Sequence, residues 1–141
     1  MSTAAERLVA ARAELNARCN TIEEAYEFML AYAGQGMASD AGSAKGTQVR
    51  EYLTKAAAAM ADLSTLAETF ATNTDADVAP YAAFMAVIDR DARASRAAVG
   101  IVLAQSGISS QLIDNLNASI HLRALLTDLF LVDEALKGLK G

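Results

Sequence analysis

Apolar residues recur along most of this chain at the three- and four-residue spacing that places side chains on one face of an α-helix. Leu8, Leu15, Ile22 and Met29 repeat every seven residues, and Ala11, Cys19, Tyr26 and Ala33 fill the turns between them. The pattern predicts one long first helix ending near Gly34. Its soft point is Asn20–Thr21, where Thr21 to Glu24 reads as a capping box that would allow a kink, although the apolar phase runs through it. The stretch from Gly34 to Gly46 carries four glycines with Ser and Asp and no periodicity, and is expected to be the longest loop.

A second helix is predicted from about Thr47, with Val49, Leu53, Ala56, Met60, Leu63, Ala67 and Phe70 on one face, stopping between Thr72 and Asp75. Pro80 is tolerated in a first helical turn because its missing N–H would have no partner there, so it marks the start of a third helix capped by Asp75 or Asp77. The core stripe of that helix is Tyr81, Phe84, Met85, Ile88, Ala92, Ser95, Val99 and Val102. Gly107 then suits a helix end and Ser109 an N-cap, with Ile108 and Ile113 as partners of a hydrophobic staple. A fourth helix follows to about Leu136. Four helices of roughly 25 to 33 residues, joined mostly by short connections, predict a single domain, 1–141, folded as an all-α antiparallel up-down-up-down four-helix bundle.

The fourth predicted helix is apolar on two sides. Ile113, Leu116, Ile120, Ala124, Thr127 and Leu131 form one face, and Ala118, Leu122, Leu125, Leu129, Val132, Leu136 and Leu139 form a ladder nearly opposite. A helix in a monomeric bundle covers one such face, so something further must pack on the other. A second copy of the chain is the expected cover, because two-fold dimers are the commonest assembly and a Leu ladder is self-complementary. The competing expectation is that the other three helices, or the Gly34 to Gly46 loop, wrap both faces within one chain. The third helix has a weaker second face in Ala83, Val87, Ala94, Ala98 and Ile101.

Composition narrows the function classes. The apolar fraction is 53%, but 32 residues are Ala, Trp is absent and aromatics make up 6%, a balance that favours helix over strand. The net charge of −5 argues against nucleic acid, whose affinity depends on clustered Lys and Arg. The longest apolar runs, Ala97 to Ala104 and Leu122 to Val132, are shorter than the ~18 residues of a membrane span. The lone cysteine, Cys19, and an N-terminal stretch broken by Glu6, Arg7, Arg12 and Glu14 predict a cytoplasmic protein without internal disulfides.

Candidate chemistry is sparse. His121 is the single histidine, so neither zinc nor a di-iron pair with two Glu-x-x-His motifs finds its ligands, and no metal or cofactor is expected. Glu23, Glu24 and Glu27 crowd the first helix as an acidic surface. Cys19 lies on a core stripe with no nearby base, and Lys45-Gly46 is in the wrong order for a P-loop. Free N–H groups at the start of the second helix leave the glycine-rich loop as a weak anion site. Arg90, Arg93 and Arg96 form a solvated face on which Asp89 precedes Arg93 by one turn.

Two readings follow. The first is a non-catalytic homo-oligomeric protein acting through protein–protein interaction, as adaptor, assembly factor or regulatory subunit. It dimerises through Leu122, Leu125, Leu129, Val132 and Leu136 and leaves room for a further protein partner. The second is a small-molecule or cofactor-binding bundle, because Asp91, Ser95, Arg123 and Thr127 put polar groups at mid-height, where an Asp91–Arg123 pair would cost desolvation; the alternative is that Arg123 extends outward and Asp91 pairs with a surface cation.

Overall fold

The computed structural model describes residues 3–73, 75 and 77–139. The described residues are all-helical and form six α-helices: α1 (Ala4–Ala33), α2 (Ala44–Met60), α3 (Leu63–Ala71), α4 (Ala79–Leu103), α5 (Ser110–Ala118) and α6 (Ile120–Leu136). Among the described residues there is no strand, and no helix is long and apolar enough to cross a membrane.

The helix α1 starts with a complete capping box, Thr3 Oγ1 accepting from Glu6 N and Glu6 Oε1 from Thr3 N. It runs without interruption past Asn20–Thr21, where Thr21 Oγ1 donates back to the Ala17 carbonyl instead of capping a new helix. It ends at Gly34, as its spacing predicts. The helix α2 begins three residues earlier than expected, because Ser43 Oγ caps Gly46 N at 2.9 Å.

The second predicted helix is broken. Asp62 lies between α2 and α3 with φ 56°, in the left-handed region that Asp tolerates better than most residues. The Arg18 guanidinium of α1 caps the break by donating to the carbonyls of Ala59 and Ala61. Past it the buried face slips by one residue: Leu66 takes the core position expected of Ala67, which is half-buried, and Phe70 stays inside. Two further arginines close helix ends in the same way. Arg12 donates to the carbonyls of Leu136 and Leu139, and Arg50 to those of Leu103 and Gln105.

Pro80 does open α4, but neither Asp75 nor Asp77 caps it. The N-cap is Val78, and Asp75 Oδ1 accepts from Asp77 N within the approach turn. Thr74 and Ala76, in the same connection, lie outside the described residues. The α4 stripe is as predicted from Met85 to Val102, with Tyr81 and Phe84 half-buried at its start. Ser109 caps α5, and Ile108 and Ile113 are both fully buried.

The fourth predicted helix is also broken, and the break resolves its two faces. Ser119 is extended (φ −61°, ψ 139°), closes α5 with its N–H on the Leu116 carbonyl, and opens α6 with its Oγ accepting from Leu122 N. Each helix uses one stripe: α5 buries Ile113 and Leu116, and α6 buries Leu122, Leu125, Leu129, Val132 and Leu136. All belong to one hydrophobic cluster shared by every helix. Around it α4 packs on α2, α3 and α6, and α1 packs on α2 and α5.

Candidate interaction surface

The Leu ladder expected to meet a second chain is inside this one. Leu122 and Leu125 are 0% exposed, Leu129 1%, Val132 2% and Leu136 8%. These five residues are therefore core and not an exposed surface, because the extended Ser119 turns α6 so that the ladder faces inward. What remains outside is the continuation of the other stripe. Ile120 is 75% exposed and Leu131 58%, with half-buried Ala124 and exposed Thr127 between them. Phe130, one residue off that line, is 56% exposed.

On one side of this stripe α6 packs on α4. Tyr81 Oη donates to the Ala135 carbonyl at 2.8 Å, and Ser95 Oγ to the His121 carbonyl at 2.8 Å, so two hydrogen bonds fix the register of the two helices. At one end lies an apolar cleft of about 420 Å³ lined by Pro80, Tyr81, Phe84, Leu131, Val132 and Ala135. At the other, Ile120, Ala124 and Thr127 line a shallower depression together with Arg123 and Asp128.

Asp128 of α6, on the wall of that depression, faces Asp91 of α4, and both are half-buried. The Asp128 carboxyl is pushed up to about 7, first by burial, then by the hydrogen bond and charge of Asp91, with Arg90 opposing. Asp128 Oδ2 is shielded from solvent, and the proton that Asp128 keeps forms its hydrogen bond with Asp91. Asn117, buried just before the break, finds no partner among the described residues for either amide atom.

The four residues expected to line a mid-height ligand site do not converge. Ser95 is fully buried and committed to the His121 carbonyl, Thr127 Oγ1 donates to the Arg123 carbonyl of its own helix, and Arg123 is exposed. The exposed Arg123 follows the alternative to an Asp91–Arg123 pair, and Asp91 faces the acid Asp128. Asp128 is the residue that the sequence reading missed; its one signal was its place on the same helix, a turn beyond Ala124.

Other candidates resolve into structure. The glycine-rich loop is tied down: Asp40 accepts from Arg50 Nε at 2.5 Å and from Ile108 N at 2.6 Å, which holds its carboxyl below the usual range. Tyr32 Oη donates to the Ile108 carbonyl and Ser110 Oγ to the Tyr32 carbonyl, both at 2.7 Å. With Ser43 capping α2, the expected anion position is filled by the loop's own side chain. Cys19 is 3% exposed and its thiol is pushed up to about 12, by burial first and then by Glu23 and Asp133, so it stays protonated. The Glu23 carboxyl is raised by partial burial, then by Asp133 of α6 and by Glu27. Among the described residues no three His, Cys, Asp or Glu side chains gather as a metal site would need. His121 is exposed, and Arg93 pairs with Asp89 at 3.0 Å as their spacing suggests. No protein-family model, curated protein or solved structure matches the chain.

The acid pair has a consequence for stability. An isolated Asp ionises near ~3.9, whereas folding holds the Asp128 proton up to about 7. The folded state therefore binds more protons between those values, so stability falls as pH rises from ~4 through ~7. Asp128→Asn should stabilise the chain at pH 8 by on the order of 1 kcal/mol, a figure kept small because solvent screens a half-buried pair. The gain should vanish near pH 4, as urea titrations of both proteins at the two pH values would show.

Proposed function

We propose that this chain is a non-catalytic interaction protein, an adaptor, assembly factor or regulatory subunit, whose partner surface is the outer stripe of α6 with the apolar cleft at its Leu131 end. The observation that carries this reading is the joint exposure of Ile120 and Leu131 on one line of α6, with Leu131 on the wall of an apolar cleft. Large apolar side chains that share a line and border a concave apolar surface forgo roughly 1.5 kcal/mol or more each unless covered. The core is complete without them.

In this reading the fold is a four-rod, up-down-up-down arrangement of α1, α2 with α3, α4, and α5 with α6. Cross-links at matching levels support it: Arg18 with the end of α2, Arg50 with the end of α4, Tyr81 with the end of α6, and Arg12 with the residues that close α6. A rigid frame of this kind presents a surface without reorganising, which lowers the entropic cost of binding. A closed dimer remains compatible with the stripe, but it now has to form through Ile120 and Leu131 and not through the Leu ladder.

Native mass spectrometry of the chain, purified gently from its own source, tests the reading. The expected result is a mass above that of one 14.8 kDa chain; a single-chain mass at micromolar concentration would overturn it.

A further inference from the structure

The break between α5 and α6 differs from the one between α2 and α3 in what holds it. At Asp62 the Arg18 guanidinium of α1 locks the turn from outside. At Ser119 the capping bonds are local: its N–H donates to the Leu116 carbonyl and its Oγ accepts from Leu122 N. Neither Gly nor Pro stands anywhere from Ser109 to Leu136, so the chain itself does not forbid one helix across the break. Closing it would add bonds from the N–H groups of Ile120, His121 and Leu122 to the carbonyls of Leu116, Asn117 and Ala118. Two residues before the turn, Asn117 is 6% exposed and finds no partner among the described residues for either amide atom, a cost that the closed form carries.

In a straight helix the ladder from Leu122 to Leu136 lies nearly opposite Ile113 and Leu116. With α5 held on α1, that ladder points away from its own core, and the surface that fits it is the place α6 has left in a second copy. We propose that Ser119 is a hinge across which two copies of this chain exchange α6. In the exchanged pair α5 and α6 run on as one helix of about 40 Å at about 1.5 Å per residue, and each α6 fills the other copy's site. The Tyr81–Ala135 and Ser95–His121 bonds re-form between copies, so the two forms differ at the hinge and in their dependence on concentration. Two folded chains docking side by side have Ile120 and Leu131 to use. Exchange uses the ladder itself and is independent of that surface. The Ser119 caps hold the unaltered chain closed, and their loss favours the open form.

Refolding from urea at millimolar chain concentration, followed by size-exclusion chromatography with light scattering, tests the hinge. S119A removes one N-cap from each of two chains and should raise the dimer-to-monomer ratio about ten-fold or more. S119A/I120P should return to monomer, because Pro suits the first position of α6 and keeps the preceding residue extended but is excluded from a helix interior. S119A/I120A removes the same apolar side chain without locking the turn, and should stay dimeric. A ratio in S119A no higher than in the unaltered chain would overturn the exchange. Loss of the dimer in both double variants would overturn it and assign the pairing to the Ile120 surface proposed above; a dimer in both would overturn it and place the contact elsewhere. Should S119A fail to fold, I120P against I120A in the otherwise unaltered chain makes the same comparison. The residual dimer should vanish in the first and persist in the second, and equal dimer in both would overturn the hinge.

Discussion

Replacing Leu125 and Leu129 together by glutamate should leave a chain with no cooperative thermal transition and little of its helical circular dichroism. Both side chains are essentially unexposed, at 0% and 1%, in the middle of the ladder by which α6 joins the core. Each substitution forfeits roughly 2 kcal/mol of apolar burial and forces a carboxylate either to lose its charge or to push α6 away. The two burial losses and the two carboxylates together are comparable to the ~5–15 kcal/mol that holds a typical domain together. The outcome also decides what the ladder is for. Had it been an interface, the same double variant would give a folded monomer; on this structure it gives an unfolded chain.

Gly46→Ala should be the most damaging single-methyl change in the chain. A Cβ at this position would lie 1.7 Å from the Asp40 carbonyl oxygen and 2.5 Å from its carbon, so the loop backbone itself must move. Moving it displaces the Asp40 carboxyl from Arg50 and from the Ile108 N–H, and these bonds tie the glycine-rich loop to α2 and to the turn before α5. Loss of at least ~3 kcal/mol is expected, combining steric strain with broken charge-assisted hydrogen bonds. Gly100 supplies the control: it is exposed within α4 and nothing lies within 4 Å of its added Cβ. Gly100→Ala should stabilise the chain by about 0.5–1 kcal/mol through helix propensity. Urea unfolding of the two variants should give shifts of opposite sign.

The sequence pattern located the rods and their outer ends well, because those depend on short-range chemistry. Ser109 as a cap, Pro80 in a first turn and Gly34 at a helix end act within a few residues of themselves. The breaks at Asp62 and Ser119 were illegible for a related reason. A 100° periodicity continues across a one-residue interruption, so the apolar positions on either side still look like one helix. At Ser119 the pattern does carry a signal of the break. One stripe is strong up to Leu116 and the other from Leu122 onward, and the two were read as simultaneous faces of one rod when they are consecutive faces of two. The same break explains the candidate site. The pattern allowed Arg123 either to pair with Asp91 or to extend outward; α6 leaves Arg123 exposed and brings Asp128 to Asp91. The acid pair is a tertiary event, and nothing local in either helix encodes it.

The outer stripe of α6 can be separated from the core experimentally, because Ile120 and Leu131 are 75% and 58% exposed while the ladder behind them is not. Surface substitutions of this kind ordinarily alter stability by no more than ~0.5 kcal/mol, so I120E/L131E should keep the thermal transition of the unaltered chain. Native mass spectrometry of I120E/L131E beside the unaltered chain, both taken from the same source, is the most direct test. The account predicts a mass excess on the unaltered chain and the mass of a single chain for the variant. An equal excess on both would contradict it and place the partner surface elsewhere.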